Sequence, residues 1–266
     1  MTHRRSAHLN VMVEAAEKAG RSLVRDFGEV ENLQVSKKGP GDFVSTADHK
    51  SEKVIRAILE KARPKYGFLM EESGETKGED KSFRWIVDPL DGTTNFLHGI
   101  PHWCISIALE KDKEIVAGVV FDPVKNEIFW AEKGAGAFSS SVRLRVSGRT
   151  SLQEALMTVG TDKSDEFLSD ISATAPSVSG VRRMGSACLD LCYVAAGRFD
   201  AYWERGLKAW DAAAGSLIVK EAGGSVSDLD GGKNYVYGKS ILAANATLHS
   251  ELLKKLKTPV RVKSAS

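Results

Sequence analysis

The chain has 266 residues, 42% hydrophobic and 27% charged, the composition of a globular protein with a sizeable core. Its 37 basic residues nearly balance 35 acidic ones, for a net charge of +2, so no global field draws it to nucleic acid or a membrane surface. No apolar run reaches membrane-span length, no apolar core follows Arg4 and Arg5, and Cys104, Cys188 and Cys192 match no zinc spacing; this predicts a cytoplasmic protein whose cysteines are small buried fillers.

From Ala7 to Phe27, the residues Leu9, Met12, Val13, Ala16, Ala19, Leu23 and Phe27 recur at helical spacing, and Gly28 supplies a stop. The polar stretch Ser36 to Asp42 reads as a mobile loop. Asp48 to Ala62 is a second helix, with Val54, Ile55, Ile58 and Leu59 facing inward. Phe68-Leu69-Met70 is a short strand running into Glu71. Past the centre the pattern changes to sheet: Ile105 to Glu110, Ile115 to Phe121, Glu127 to Glu132 and Val142 to Val146, with a hairpin loop at Asp122 to Asn126. Two buried helices follow, Ala187 to Ala196 before Gly197, and Asp211 to Ala222 before Gly223-Gly224. Lys263 to Ser266 is a frayed end. No repeat or linker interrupts the chain, so residues 1–266 read as one catalytic unit with sub-regions of about 1–148 and 149–266. The class is α+β, with extended antiparallel sheet in the first half.

Between these halves lies Trp85-Ile86-Val87-Asp88-Pro89-Leu90-Asp91-Gly92-Thr93-Thr94-Asn95-Phe96. Pro89 ends an apolar strand, and two carboxylates stand three residues apart. Backbone N–H groups at Gly92 and Thr93 open the next helix. Carboxylates at a strand end bind hard cations, and free N–H groups at a helix start bind phosphate. Read singly, Asp91 and Asp211 are helix N-caps and Glu71 is a solvated loop acid. Read together, strands ending at one rim bring Glu71, Asp88, Asp91 and Asp211 into one cleft. Four such carboxylates repel strongly unless a cation sits among them. An all-oxygen set selects magnesium, manganese or calcium over zinc. His98 and His102 read as surface or structural residues, and Gly134 to Phe138 as a strand-associated turn.

At this point the chain resembles the inositol monophosphatase family, within the magnesium-dependent, lithium-sensitive phosphatases. The similarity rests on Trp85 to Ile105, on Trp210-Asp211-Ala212-Ala213-Ala214-Gly215 continuing to Gly224, on Glu71-Glu72-Ser73-Gly74, and on Asp42 to Asp48. It runs from about Val11 to Leu252. The resemblance implies a layered αβαβα sandwich and two or three Mg2+ ions. The first ion would be held by Glu71, Asp88 and the Leu90 carbonyl, and the second by Asp88, Asp91 and Asp211. The Lys37 segment would lie near a further, weaker ion.

The resemblance also implies that Thr93 and Glu71 position and deprotonate the attacking water, with Asp48 orienting Thr93. Substrate would meet Asp91, Gly92, Thr93, Gly185, Ser186, Ala187, Glu204 and Asp211. Thr161 is a loosely matched phosphate-side hydroxyl in a stretch, Gly160 to Gly180, that departs from the family. The implied reaction is hydrolysis of inositol monophosphate or a related polyol phosphate by a homodimer. Histidinol phosphate or fructose 1,6-bisphosphate on the same site, or a regulatory binding role, are the alternatives.

Overall fold

The computed structural model describes residues 4–29, 42–161 and 164–257, with 35–39 added as backbone; for 35–39 and 42–45 the backbone alone is described. Helix α1 (Ala7–Phe27) starts where the Ser6 hydroxyl accepts from the Leu9 N–H, and it is capped at Gly28. Strands β1 (Val35–Gly39) and β2 (Asp42–Ser45) pair antiparallel. The stretch expected as an open loop is thus largely a small ribbon, held by backbone bonds that leave no apolar alternation to read in sequence. The Lys37 side chain lies outside the described residues, as do Lys263 to Ser266. Helix α2 (Thr46–Ala62) follows, then β3 (Tyr66–Met70), β4 (Gly74–Thr76), β5 (Asp80–Asp91) and the single turn α3 (Thr93–Leu97).

Five more strands continue the first sheet: β6 (Cys104–Lys111), β7 (Glu114–Asp122), β8 (Glu127–Glu132), β9 (Gly136–Ser139) and β10 (Val142–Arg143). The last ends earlier than expected, because the Val146 N–H leaves the ladder and donates to the Ala222 carbonyl. The second half contains β11 (Leu156–Val159), α4 (Asp165–Thr174), β12 (Gly180–Arg182), α5 (Ala187–Ala195), β13 (Ala201–Arg205), α6 (Ala209–Glu221), β14 (Ser225–Ser227), β15 (Ser240–Ala244) and α7 (Ala246–Leu256).

The large sheet has eight strands in the order β10-β9-β8-β7-β6-β5-β3-β4, antiparallel except for β3 against β5. The smaller has five, in the order β12-β11-β13-β15-β14. Side chains alternate across each sheet and feed separate cores. Trp85, Val87, Ile107 and Leu109 pack against α1 and α2. Ile86 and Ala108 point the other way, onto α5 and α6. On the small sheet, Tyr202, Ile241 and Ala243 meet α5 and α6, whereas Trp203, Leu242 and Ala244 meet Phe167 of α4 and Leu248 and Leu252 of α7. The layers therefore run α1/α2, large sheet, α5/α6, small sheet, α4/α7, the expected αβαβα sandwich.

Helices α5 and α6 are buried between two sheets, which explains their apolar character on every side. Gly118 and Gly215 allow this close approach: a Cβ on Gly118 would reach 3.0 Å from Ala214, and one on Gly215 would reach 2.6 Å from Leu191. Among the described residues no helix is long and apolar enough to cross a membrane.

Candidate active site

The acidic motif does not break at Pro89. Strand β5 continues to Asp91, and the missing N–H of Pro89 is accommodated by a register shift against β6 between Asp88 and Asp91. The Pro89 carbonyl accepts from the buried Ser51 hydroxyl of α2 at 2.8 Å. The Asp88 Oδ1 accepts from the Leu90 N–H at 3.0 Å, and the Leu90 carbonyl accepts from the Thr93 hydroxyl at 2.9 Å. Asp88, Leu90 and Thr93 are thereby locked on one turn.

Gly92 follows in the left-handed region, φ +89°, where a Cβ would come within 3.0 Å of the His102 carbonyl. Only glycine fits without strain. The helix it opens is a single turn, Thr93–Leu97.

Asp91 does not cap that turn. Its Oδ2 accepts from the Ser186 hydroxyl at 2.6 Å and from the Cys188 N–H at 2.7 Å. It therefore sits at the N-terminus of α5, where unpaired N–H groups favour an anion. The partner is 97 residues away, so the motif itself carries no sign of it. Asp211 likewise falls within the first turn of α6 rather than ahead of it, and its Oδ2 accepts from the Lys208 N–H at 2.7 Å. Glu71 directly follows β3, and its N–H donates to the Val87 carbonyl at 3.2 Å. The turn after it is fixed by buried Glu52 of α2, whose carboxylate accepts from the Glu72 and Ser73 N–H groups. Asp48, on the first turn of α2, is buried.

These acids act on one another. Burial, then the charges of Glu71 and Asp91, with Asp211 adding to them, push the Asp88 carboxyl well above the usual range. Burial and Asp91 do the same to Asp211, opposed by the Lys208 N–H. Asp91 is raised by burial but held back by its Ser186 and Cys188 donors. The strongest charges on Asp88 are all negative, the situation a hard cation relieves.

The thiols of Cys104 and Cys188 complicate this picture. With an Asp91 oxygen they form the three ligand-type atoms, among the described residues, that lie within 4.8 Å of one another. Metal ligation requires thiolate. Burial pushes Cys104 up to about 12 and Cys188 well above its ordinary value, so in the metal-free chain both are thiols. Cys104 Sγ donates weakly to Asp91 at 3.7 Å, and Cys188 Sγ donates to the Asp211 carbonyl at 3.3 Å. The crowded carboxylates around Asp88 are thus the donors here that suit an oxygen-seeking cation.

Beside the acids lies a cleft of about 130 Å³, lined by Asp91, Thr161, Ser186, Asp190, Glu204 and Asp211 together with Gly160, Gly185, Ala187 and Leu207. It gathers Gly185, Ser186, Ala187 and Glu204 with Asp91 and Asp211. Glu71, Asp88, Leu90, Gly92, Thr93 and Asp48 do not line it. Glu204, on β13, accepts from the Thr161 N–H at 3.1 Å and from the Tyr202 hydroxyl. Burial raises its carboxyl to about 7 in spite of those two donors. His98 is exposed, and His102 is buried edge-on to Tyr193 with its pKa lowered to about 4 by burial.

Sequence reasoning did not identify Ser51, Glu52, Asn95 or Asp190. Asn95 is the tie between motifs: its amide donates to the His102 and Met184 carbonyls, each at 2.8 Å.

Comparison with known proteins agrees with this architecture. The model of the inositol monophosphatase family matches residues 5–261. The chain is 57% identical over 261 residues to the inositol-1-monophosphatase of Mesorhizobium japonicum, covering 96% of this chain and 98% of that protein. It is 39% identical over 254 residues to the Nus factor SuhB of Escherichia coli, covering 94% and 95%. The crystal structure of the extragenic suppressor protein SuhB from Bartonella henselae superposes with a TM-score of 0.94 at 54% identity, covering 96% of this chain and 100% of that one. Fold and family together define a phosphatase-class hydrolase on a layered α+β scaffold. The chain belongs to the inositol monophosphatase family, in which metal dependence and lithium sensitivity are shared features.

Proposed function

We propose that this protein is a magnesium-dependent phosphomonoesterase that hydrolyses inositol monophosphate, or a closely related polyol phosphate, to the alcohol and inorganic phosphate. The observation that carries this reading is the mutual electrostatic pressure of Glu71, Asp88, Asp91 and Asp211 next to a polar cleft. Glu71, Asp88 and the Leu90 carbonyl would hold one Mg2+, and Asp88, Asp91 and Asp211 a second, with a weaker third near the Lys37 segment. When bound, the ions neutralise the doubly anionic ester and make water acidic enough to attack near neutral pH.

The chain's own groups do the rest. Glu71 and the Thr93 hydroxyl orient the attacking water and take its proton, with Asp48 steadying Thr93. The N–H groups of Gly92 and Thr93 receive phosphate oxygens individually, since a one-turn helix adds little dipole. The Gly185-Ser186-Ala187 backbone and the Glu204 carboxylate receive polyol hydroxyls, for which a group with several acceptor positions is suited. Residues 1–266 act as one catalytic unit, paired as a homodimer in the cytoplasm.

A panel of small phosphoesters, assayed for phosphate release with and without magnesium, tests the reading. Magnesium-dependent release from myo-inositol 1-phosphate is expected. A preference of about a hundredfold for histidinol phosphate or fructose 1,6-bisphosphate would reassign the substrate. The similarity to a protein named as a Nus factor favours one second reading, a regulatory binding role on the same scaffold. That reading takes precedence if no phosphoester is turned over.

A further inference from the structure

Asp190 is an acid that the metal-binding set does not use. It lies on α5 one turn beyond Ser186, whose carbonyl accepts its N–H at 2.9 Å. The residue is 1% exposed, and its Oδ1 has no hydrogen-bond partner. The Thr158 hydroxyl of β11 is its polar neighbour and holds its carboxyl down against burial, although neither Oδ1 nor that hydroxyl makes a hydrogen bond within 3.5 Å. One long contact of this kind leaves acceptor positions open on a buried carboxyl. The side chain also helps line the cleft, in company with Glu204. Glu204 already accepts from Tyr202 and Thr161, which occupies about half of its acceptor positions.

We propose that Asp190 is a specificity-determining residue whose carboxyl binds a hydroxyl of the substrate, so that Asp190 and Glu204 together read two hydroxyls of a phosphorylated polyol. This rests on the phosphomonoesterase reading of the same cleft and deepens it. Hydroxyls suit the pair better than an ammonium group. Burial and the charges of Glu204 and Asp91 hold Asp190 well above the usual carboxylate range, and Glu204 sits near 7. Each of these buried acids therefore disfavours the charged form of the other. A neutral carboxyl both donates and accepts, as a hydroxyl does, whereas an ammonium only donates.

Two variants of the full chain, loaded with magnesium, test this. Asp190→Ala removes the group, and Asp190→Asn keeps a donor and an acceptor in the same volume. Kinetics on myo-inositol 1-phosphate are compared with those on p-nitrophenyl phosphate, which offers no alcohol hydroxyl. Asp190→Ala is expected to lower kcat/KM for the inositol ester by about tenfold or more, chiefly through KM, and to leave the aryl ester within about twofold. Asp190→Asn is expected to restore most of the loss. An equal fall on both substrates, or none on the inositol ester, overturns the proposal.

Calorimetric titration with the non-hydrolysable phosphonate analogue of myo-inositol 1-phosphate decides the point without turnover. Weaker binding to Asp190→Ala supports it; equal affinity, or no binding to the wild type, overturns it. Failure of the wild type to hydrolyse either ester would remove the phosphomonoesterase reading, and the titration would still judge Asp190. Should Asp190→Ala not fold, the wild type titrated with phosphonate analogues of the monodeoxy-inositol phosphates replaces it: a tenfold loss for two different analogues supports the assignment, and a loss for one or none overturns it.

Discussion

The side-chain amide of Asn95 donates to the Met184 carbonyl at 2.8 Å, joining the acidic motif to a segment 89 residues further on. The same amide holds the His102 carbonyl, so one nitrogen fixes three stretches of chain. Gly185 passes close beside it with φ +84°, where a Cβ would come within 3.0 Å of the Asn95 Nδ2. Immediately afterwards, Ser186 and Cys188 hand their donors to Asp91. Asn95 thus sets the spacing between the proposed metal ligands and the start of α5.

Replacing Asn95 with Ala leaves these carbonyls without their donor. The expected cost is about 1–3 kcal/mol in unfolding free energy, read as a lower urea midpoint at unchanged slope. Turnover is expected to fall as well, because Asp91 and Gly185 lose their common anchor. A variant with wild-type midpoint and wild-type rate would show that the Asp91 contacts alone hold the segment.

Asp88 lies where the acidic repulsion is greatest. Asp88→Asn is expected to abolish activity while leaving chelator-treated protein as stable as the wild type, or slightly more so, because a crowded charge is removed. Magnesium that binds only the folded state should raise the wild-type melting temperature, by about 2.7 kcal/mol of linkage at a hundredfold excess over Kd. The variant should lose most of that rise. Thermal melts with and without magnesium measure both effects, and a large loss of metal-free stability would mean that Asp88 chiefly supports the fold.

The elements with a clear period were legible in the sequence, and the contacts that tie them were not. Helix α1 falls at Ala7–Phe27 as expected because its buried stripe and Gly28 are local signals. Strand β8 falls at Glu127–Glu132 because turns bound it on both sides. Pro89 misled for a physical reason: a bulge lets a strand run on where a ladder N–H is missing. Asp91 misled because its partners come from α5, so a good N-cap residue serves a different helix. Glu52, Asn95 and Asp190 are single polar residues with no periodic signature. Their importance follows from burial and long-range pairing, which only the folded chain displays. The acids that crowd Asp88 had local cues: Glu71 directly follows the apolar β3, Asp88 and Asp91 share the apolar end of β5, and Asp211 opens a run of small residues.

Gly160 makes a test of the substrate side. Its N–H donates to the Trp203 carbonyl, and a Cβ there would overlap the Glu204 Cγ and Cδ. Gly160→Ala must therefore displace the Glu204 carboxylate. A stability loss of about 1–3 kcal/mol is expected from overpacking, together with a higher KM for myo-inositol 1-phosphate. Magnesium-induced stabilisation should persist, since the clash falls on Glu204, which is not among the proposed metal ligands. Loss of the magnesium effect would show that the two halves of the site are not separable.

Glu204 also gives the protein a pH dependence with a definite sign. Its carboxyl stands at about 7 in the folded chain, against an ordinary value of 4.5, with burial as the main cause. Between those two values the folded state holds a proton that the unfolded state has released. Stability from this group is therefore fully present below about pH 4.5 and is lost as pH rises through about 7. Above that range both states are ionised and the contribution has gone. Glu204→Gln cannot ionise, yet it keeps an oxygen for the Tyr202 hydroxyl and the Thr161 N–H. Asp88, Asp190 and Asp211 are also raised and remain in both proteins, so the informative quantity is the difference between two curves. Melting temperatures of chelator-treated wild type and Glu204→Gln, taken across pH 4.5 to 7, should converge at the acid end and separate toward neutrality, with the wild type falling faster. Parallel curves would mean that the cleft admits enough water to keep Glu204 an ordinary carboxylate.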